Sequence, residues 1–121
     1  MGTKILNGRI TGVELTNLDH DQLTAFIQIE HERGSQAFGG WQLYAPSFRE
    51  DDRTGWFIWR TIETVFGGDG YGKWDKLIGK PVRVKTNEMD LLIAVGNFVQ
   101  DIWFEPKKEM EDYAKKQNGR N

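Results

Sequence analysis

Apolar residues alternate along the first third of the chain. In residues 4–15, Ile10, Val13 and Leu15 stand among polar neighbours in a weak strand-like pattern. From Leu23 the alternation is cleaner. Leu23, Ala25, Ile27 and Ile29 interleave with Thr24, Phe26, Gln28 and Glu30, which predicts a strand with one face buried. Between the two runs, Thr16-Asn17-Leu18-Asp19-His20-Asp21 has turn chemistry, so the runs are expected to pair as a hairpin. Gly34-Ser35 breaks the pattern, and residues 36–44 predict a third strand.

The period then changes. Residues 46–53 read as a charged loop, and Thr54 is placed to cap a helix over about 55–66. Ile58, Ile62 and Val65, joined by Trp59 and Phe66, form its apolar stripe. The glycine-rich segment 67–72 ends the helix, and residues 74–78 predict one helical turn closed by Gly79. Pro81–Thr86 is a strand with Val82, Val84 and Thr86 on one face and Arg83 and Lys85 on the other. After a turn at Asn87-Glu88, residues 91–104 read as one strand, apolar on both faces. The expected fold class is α+β: an antiparallel sheet of about five strands packed on one main helix, with a short C-terminal helix. Residues 1–106 would form a single ligand-binding domain. Residues 107–121 would be a charged, partly helical tail.

Composition narrows the function. The chain has 121 residues, long enough for one domain with its own core. It contains no cysteine, which excludes disulfides and thiolate metal sites and fits a reducing cytoplasm. Residues 1–6 lack the apolar core of a signal peptide, and no run is long enough to span a membrane. The net charge of −2 disfavours non-specific binding to duplex nucleic acid. A pocket for a small anion needs only a few basic groups and stays compatible with that charge.

No nucleophile, zinc-protease or phosphate-loop motif is present. Asp19-His20-Asp21 and Glu50-Asp51-Asp52 read as turn and solvated loop rather than metal sites, and no metal or cofactor is expected. The glycines of 67–72 follow a helix, the reverse of the order that cradles phosphate. The segment Phe38-Gly39-Gly40-Trp41 is more informative. Paired glycines admit close approach to the backbone, and the flanking rings offer faces for stacking a base. Arg60, on a Trp-rich helix, and Arg83 and Lys107 are candidate partners for phosphate.

Segments along residues 5–106 carry a resemblance. They are Gln36-Ala37-Phe38-Gly39-Gly40, Ile62-Glu63-Thr64-Val65, Trp74-x-x-Leu77-x-Gly79-Lys80-x-Val82-Arg83-Val84, Val95-Gly96-Asn97 and Asp101-x-Trp103-Phe104. In this order they resemble small phage and prophage proteins, and within that group the Thoeris anti-defence proteins of the first type. The resemblance implies a sponge that binds cyclic ADP-ribose-type signals made by bacterial TIR enzymes without degrading them. Some relatives of that kind also hold cyclic oligonucleotides made by CBASS enzymes, and they assemble as multimers. On this basis Phe38-Gly39-Gly40 and Gly96-Asn97 are carried over as binding candidates.

The expected site therefore comprises Phe38, Gly39, Gly40 and Trp41, completed by Asn97, Phe98 and a cation from Arg60, Arg83 or Lys107. No turnover is expected. The partners would be a small cyclic nucleotide signal and further copies of the chain. The homo-oligomer, a dimer or larger, would form through residues 91–104 with Trp103 or Phe104. The setting would be the cytoplasm of the bacterial host. Two other classes stay open: a phage protein that blocks a host defence protein, and a single-stranded nucleic-acid module with an aromatic platform.

Overall fold

The computed structural model describes residues 3–19, 22–40, 50–67 and 72–118. Six antiparallel strands form one sheet: β1 (Lys4–Asp19), β2 (Gln22–His31), β3 (Gly34–Gly39), β4 (Pro81–Thr86), β5 (Leu92–Asn97) and β6 (Trp103–Phe104). Their order across the sheet is β3-β2-β1-β4-β5-β6. Helix α1 (Glu50–Phe66) and helix α2 (Pro106–Asn118) complete the α+β fold, with a single 3₁₀ turn at Asp75–Leu77 before β4. Among the described residues, no helix is long and apolar enough to cross a membrane.

Strand alternation decides which face is buried. Pairing Ile10 with Ile29, Ile27 with Phe38 and Val84 with Val95 stacks apolar side chains on one face of the sheet. All six are buried in the main core cluster. Helix α1 packs there and contributes Phe57, whose ring centroid lies 5.8 Å from those of both Phe38 and Phe104. Trp56 meets Phe104 edge-on at 5.2 Å, and Trp74 meets Phe57 at 6.4 Å. This aromatic cluster joins β3 and β6, the two outermost strands, through one helix.

Three expectations change. The helix begins at Glu50, not at Thr54, so residues 50–53 belong to α1. The Thr54 hydroxyl lies inside the helix and donates to the Leu23 carbonyl at 2.8 Å. The buried stripe is also displaced: Phe57, Thr61, Thr64 and Val65 are buried, whereas Trp59 is 69 % exposed. Thr61 and Thr64 are fully buried although polar in type, which an apolar count does not register.

The last strand is two strands. Residues 98–102 turn the chain, so Val95 faces Phe104 and Gly96 faces Trp103. Ala94 is fully buried and Trp103 folds back over Gly96, whereas Leu91, Phe98 and Val99 of the same segment are exposed. Helix α2 runs through Asn118, further than expected for the tail, and is docked. Met110 is buried, and Glu109 reaches Arg60 of α1 at 2.7 and 2.9 Å.

Candidate functional site

The structure divides the expected site between the two faces of the sheet. Phe38 is 1 % exposed, with its ring inside the aromatic core, so it offers no face to a base. Gly39 does serve a close approach, but of the protein to itself. At φ +107°, an added Cβ would stand 2.6 Å from Phe57 Cζ and 2.8 Å from the Ala25 carbonyl oxygen. Gly40, at φ +65°, turns the chain out of β3 beside Phe26. Trp41 lies outside the described residues, as does His20.

Arg60 and Asn97 are committed to internal bonds. The Arg60 guanidinium pairs with both oxygens of Glu109, reaches Glu63 at 2.9 Å and donates to the Trp103 carbonyl at 3.2 Å. It also lies 5.0 Å from the Phe104 ring centroid. Its pKa is raised by the hydrogen bond to Glu109 against the cost of partial burial. It clasps α2 to α1 and has little left for a pyrophosphate.

Asn97 is buried on the core face. Its amide nitrogen donates to the Thr64 and Val65 carbonyls at 3.1 and 3.0 Å, closing the C-terminal end of α1. Its amide oxygen accepts from Val99 N and Gln100 N, which fixes the turn after β5. This is a structural junction with no side-chain bonding capacity to spare for a ligand. Phe98, the next residue, is 44 % exposed on that turn. Lys107 is exposed on the first turn of α2.

Arg83 is different. It points to the face opposite α1, where the Trp103 ring packs on Gly96. Its Nε donates to the Asn97 carbonyl at 2.9 Å and its Nη2 to the Gln100 carbonyl at 2.8 Å. Its Cζ stands 4.9 Å from the Trp103 ring centroid, and Lys85 Nζ stands 4.4 Å from the same ring. Strand period brings the two cations together, because residues 83 and 85 share a face. Register brings the indole to them, because Trp103 pairs with Gly96, and Gly96 pairs with Arg83.

Gly96 makes this packing possible. An added Cβ would lie 2.6–2.8 Å from three carbons of the indole, so only glycine lets that ring lie on the strand. The indole N–H donates to Asp101 at 2.9 Å, which fixes the ring in its plane. Among the described residues, neither Arg83 nor Lys85 forms an ion pair. Two cations thus converge on one aromatic ring whose edge is bonded to the Asp101 carboxylate, and among the described residues neither cation is ion-paired to it.

The sequence placed Arg83 and Lys85 on one strand face but carried only Arg83 forward as a candidate, and it placed Trp103 at an interface between copies. The usable signal was the pairing of a glycine with a tryptophan across a turn. It becomes visible only once residues 91–104 are divided into two strands. Among the described residues, no group of three or more His, Asp or Glu side chains could hold a metal ion. Comparison of the chain with protein-family models, with curated proteins and with solved structures finds no match.

Proposed function

We propose that the protein binds and sequesters a small nucleotide signal of the cyclic ADP-ribose class and leaves it chemically intact. The observation that carries this reading is the Trp103 ring with Arg83 and Lys85 over it, neither cation having an ion-pair partner among the described residues. Such a ligand combines a flat base with a pyrophosphate. An indole supplies stacking, and paired cations supply the complement to the negative charge. The sequence resemblance to anti-defence sponges points to the same ligand class. The protein would act in the cytoplasm of a bacterial host as a self-associated assembly, and Trp59, Met89 and Val99 supply exposed apolar surface for that association.

Isothermal calorimetry with cyclic ADP-ribose tests the binding. Heating the complex and analysing the released ligand by chromatography tests whether it is intact. Saturable binding that Trp103→Ala weakens about fivefold or more, with recovery of unaltered ligand, is the expected result. Stacking worth roughly 1–3 kcal/mol per base sets that factor. Recovery of linearised ligand would refute sequestration.

A second reading has its own support. The cluster lies on one face of the sheet, which suits stacking of single-stranded nucleic acid. Binding of a short single-stranded oligonucleotide that cyclic ADP-ribose fails to displace would favour it.

A further inference from the structure

The two cations over Trp103 are not equivalent. Arg83 is held at both ends of one guanidinium edge, Nε on the Asn97 carbonyl and Nη2 on the Gln100 carbonyl. Those carbonyls belong to the turn that Asn97 also fixes through its amide oxygen. That edge is one of the two with which an arginine grips an oxyanion. Lys85 makes no hydrogen bond or ion pair among the described residues. Among the described residues its ammonium meets the ring alone, at 4.4 Å, and it keeps three donors on a flexible stem.

We propose that Lys85 is the residue that meets the ligand's phosphate, and that Arg83 is a positioning residue that holds the 98–101 turn and the indole in place. The inference rests on the nucleotide-binding reading above and assigns roles within it. Two like charges sit on one strand face at second-neighbour spacing, about 7 Å along the strand. An anion beside Lys85 relieves their repulsion while the bonds of Arg83 to the turn stay intact. A lysine acts as a point charge and does not impose bidentate geometry. Internal phosphates, as in a pyrophosphate bridge, therefore satisfy this contact as well as terminal ones.

The test uses cyclic ADP-ribose and linear ADP-ribose as probes, titrated into the full chain by calorimetry at several salt concentrations. The variants are Lys85→Met, Lys85→Arg and Arg83→Lys, with circular dichroism to confirm folding. Lys85→Met is expected to weaken binding of both probes about tenfold or more. It should also lower the slope of log affinity on log salt by about one, the signature of one lost phosphate contact. Lys85→Arg should restore the slope.

Arg83→Lys keeps the charge and loses the two carbonyl bonds. It should speed hydrogen exchange at the Val99 and Gln100 amides while leaving the salt slope at its wild-type value. A folded Lys85→Met that keeps wild-type affinity and slope overturns the assignment, provided the wild-type chain binds. A fall in salt slope in Arg83→Lys likewise overturns it. Failure of the wild-type chain to bind either probe overturns the nucleotide reading itself.

Discussion

Replacing Gly39 by alanine separates a glycine kept for a ligand from one kept for the core. The backbone there sits at φ +107°, a region that L side chains rarely enter, and holding alanine in it costs about 1–3 kcal/mol. The new Cβ would also stand 2.6 Å from Phe57 Cζ and 2.8 Å from the Ala25 carbonyl. The carbonyl belongs to the sheet and cannot swing aside, so overpacking adds about 1–3 kcal/mol. Together the two terms come to about 2–6 kcal/mol, a large part of the 5–15 kcal/mol that a domain normally has. Urea unfolding of the ligand-free protein, followed by circular dichroism, reads this directly as a lower midpoint at unchanged slope. Phe57→Leu in the same chain shortens the ring side chain and should recover part of the loss, giving a coupling of about 0.5–3 kcal/mol in a double-mutant cycle. A Gly39→Ala protein within about 1 kcal/mol of wild type would refute the packing argument and return Gly39 to the list of ligand-facing residues.

Gly96→Ala should force the Trp103 indole off the strand, costing about 1–3 kcal/mol and shifting the Trp103 Nε1–H resonance in a ¹H–¹⁵N spectrum. Asn97→Ala strips two carbonyls and two amides of their partner, and a loss of about 2–4 kcal/mol is expected, with faster exchange at Val99 and Gln100. Glu109→Gln breaks the clasp between the helices. A loss of about 1–2 kcal/mol in urea unfolding should accompany protease sensitivity within α2. Because the Arg60 pKa is raised, its contribution to stability is complete below the ordinary arginine range and is lost only as pH rises through the still higher folded value. Thermal unfolding between pH 6 and 9 should therefore show no Arg60-linked change. Light scattering at micromolar concentration should give a mass of two chains or more, and a monomer would refute self-association.

The parts of the fold legible in the sequence were those where alternation had a single cause. Pro81–Thr86 came out with its bounds and both faces in place, because Val82, Val84 and Thr86 are buried and Arg83 and Lys85 are not. The β1–β2 hairpin was legible for the same reason, although Leu23 continues the apolar pattern into an exposed position. What misled the reading was polarity without exposure and apolarity without a partner strand. Thr61 and Thr64 are buried, which rotated the inferred face of α1 onto the exposed Trp59. Residues 91–104 looked like one strand because the turn at 98–102 contains Phe98, Val99 and Ile102. Its turn signal is carried by Asn97, whose side chain bonds two amides ahead in the chain. The candidate site followed the same rule. Phe38-Gly39-Gly40 was marked for the approach of a ligand; at Gly39 the group that approaches is the Phe57 ring, from a helix whose register the sequence had misjudged.

The strand order has a consequence for how the chain reaches this structure. Strands β1 to β3 form one meander and β4 to β6 another, each built from pairings between neighbours in sequence. Among the strand pairings of the described residues, only β1 with β4 joins them, pairing Lys4–Arg9 with Thr86–Pro81 across residues 10–80. Local hairpins close at little entropic cost, whereas this one seam closes a long loop. Docking of two preformed halves along β1–β4 is thus the step expected to limit folding. In mutational analysis of the transition state, substitutions at Leu6 and Val84, which face each other across the seam, would slow refolding, while changes within β2–β3 or β5–β6 would act mainly on unfolding. Synthesis from the N-terminus completes the first meander before β4 exists. Its β1 edge then stands open until the second half emerges, an interval in which that edge could pair with another chain.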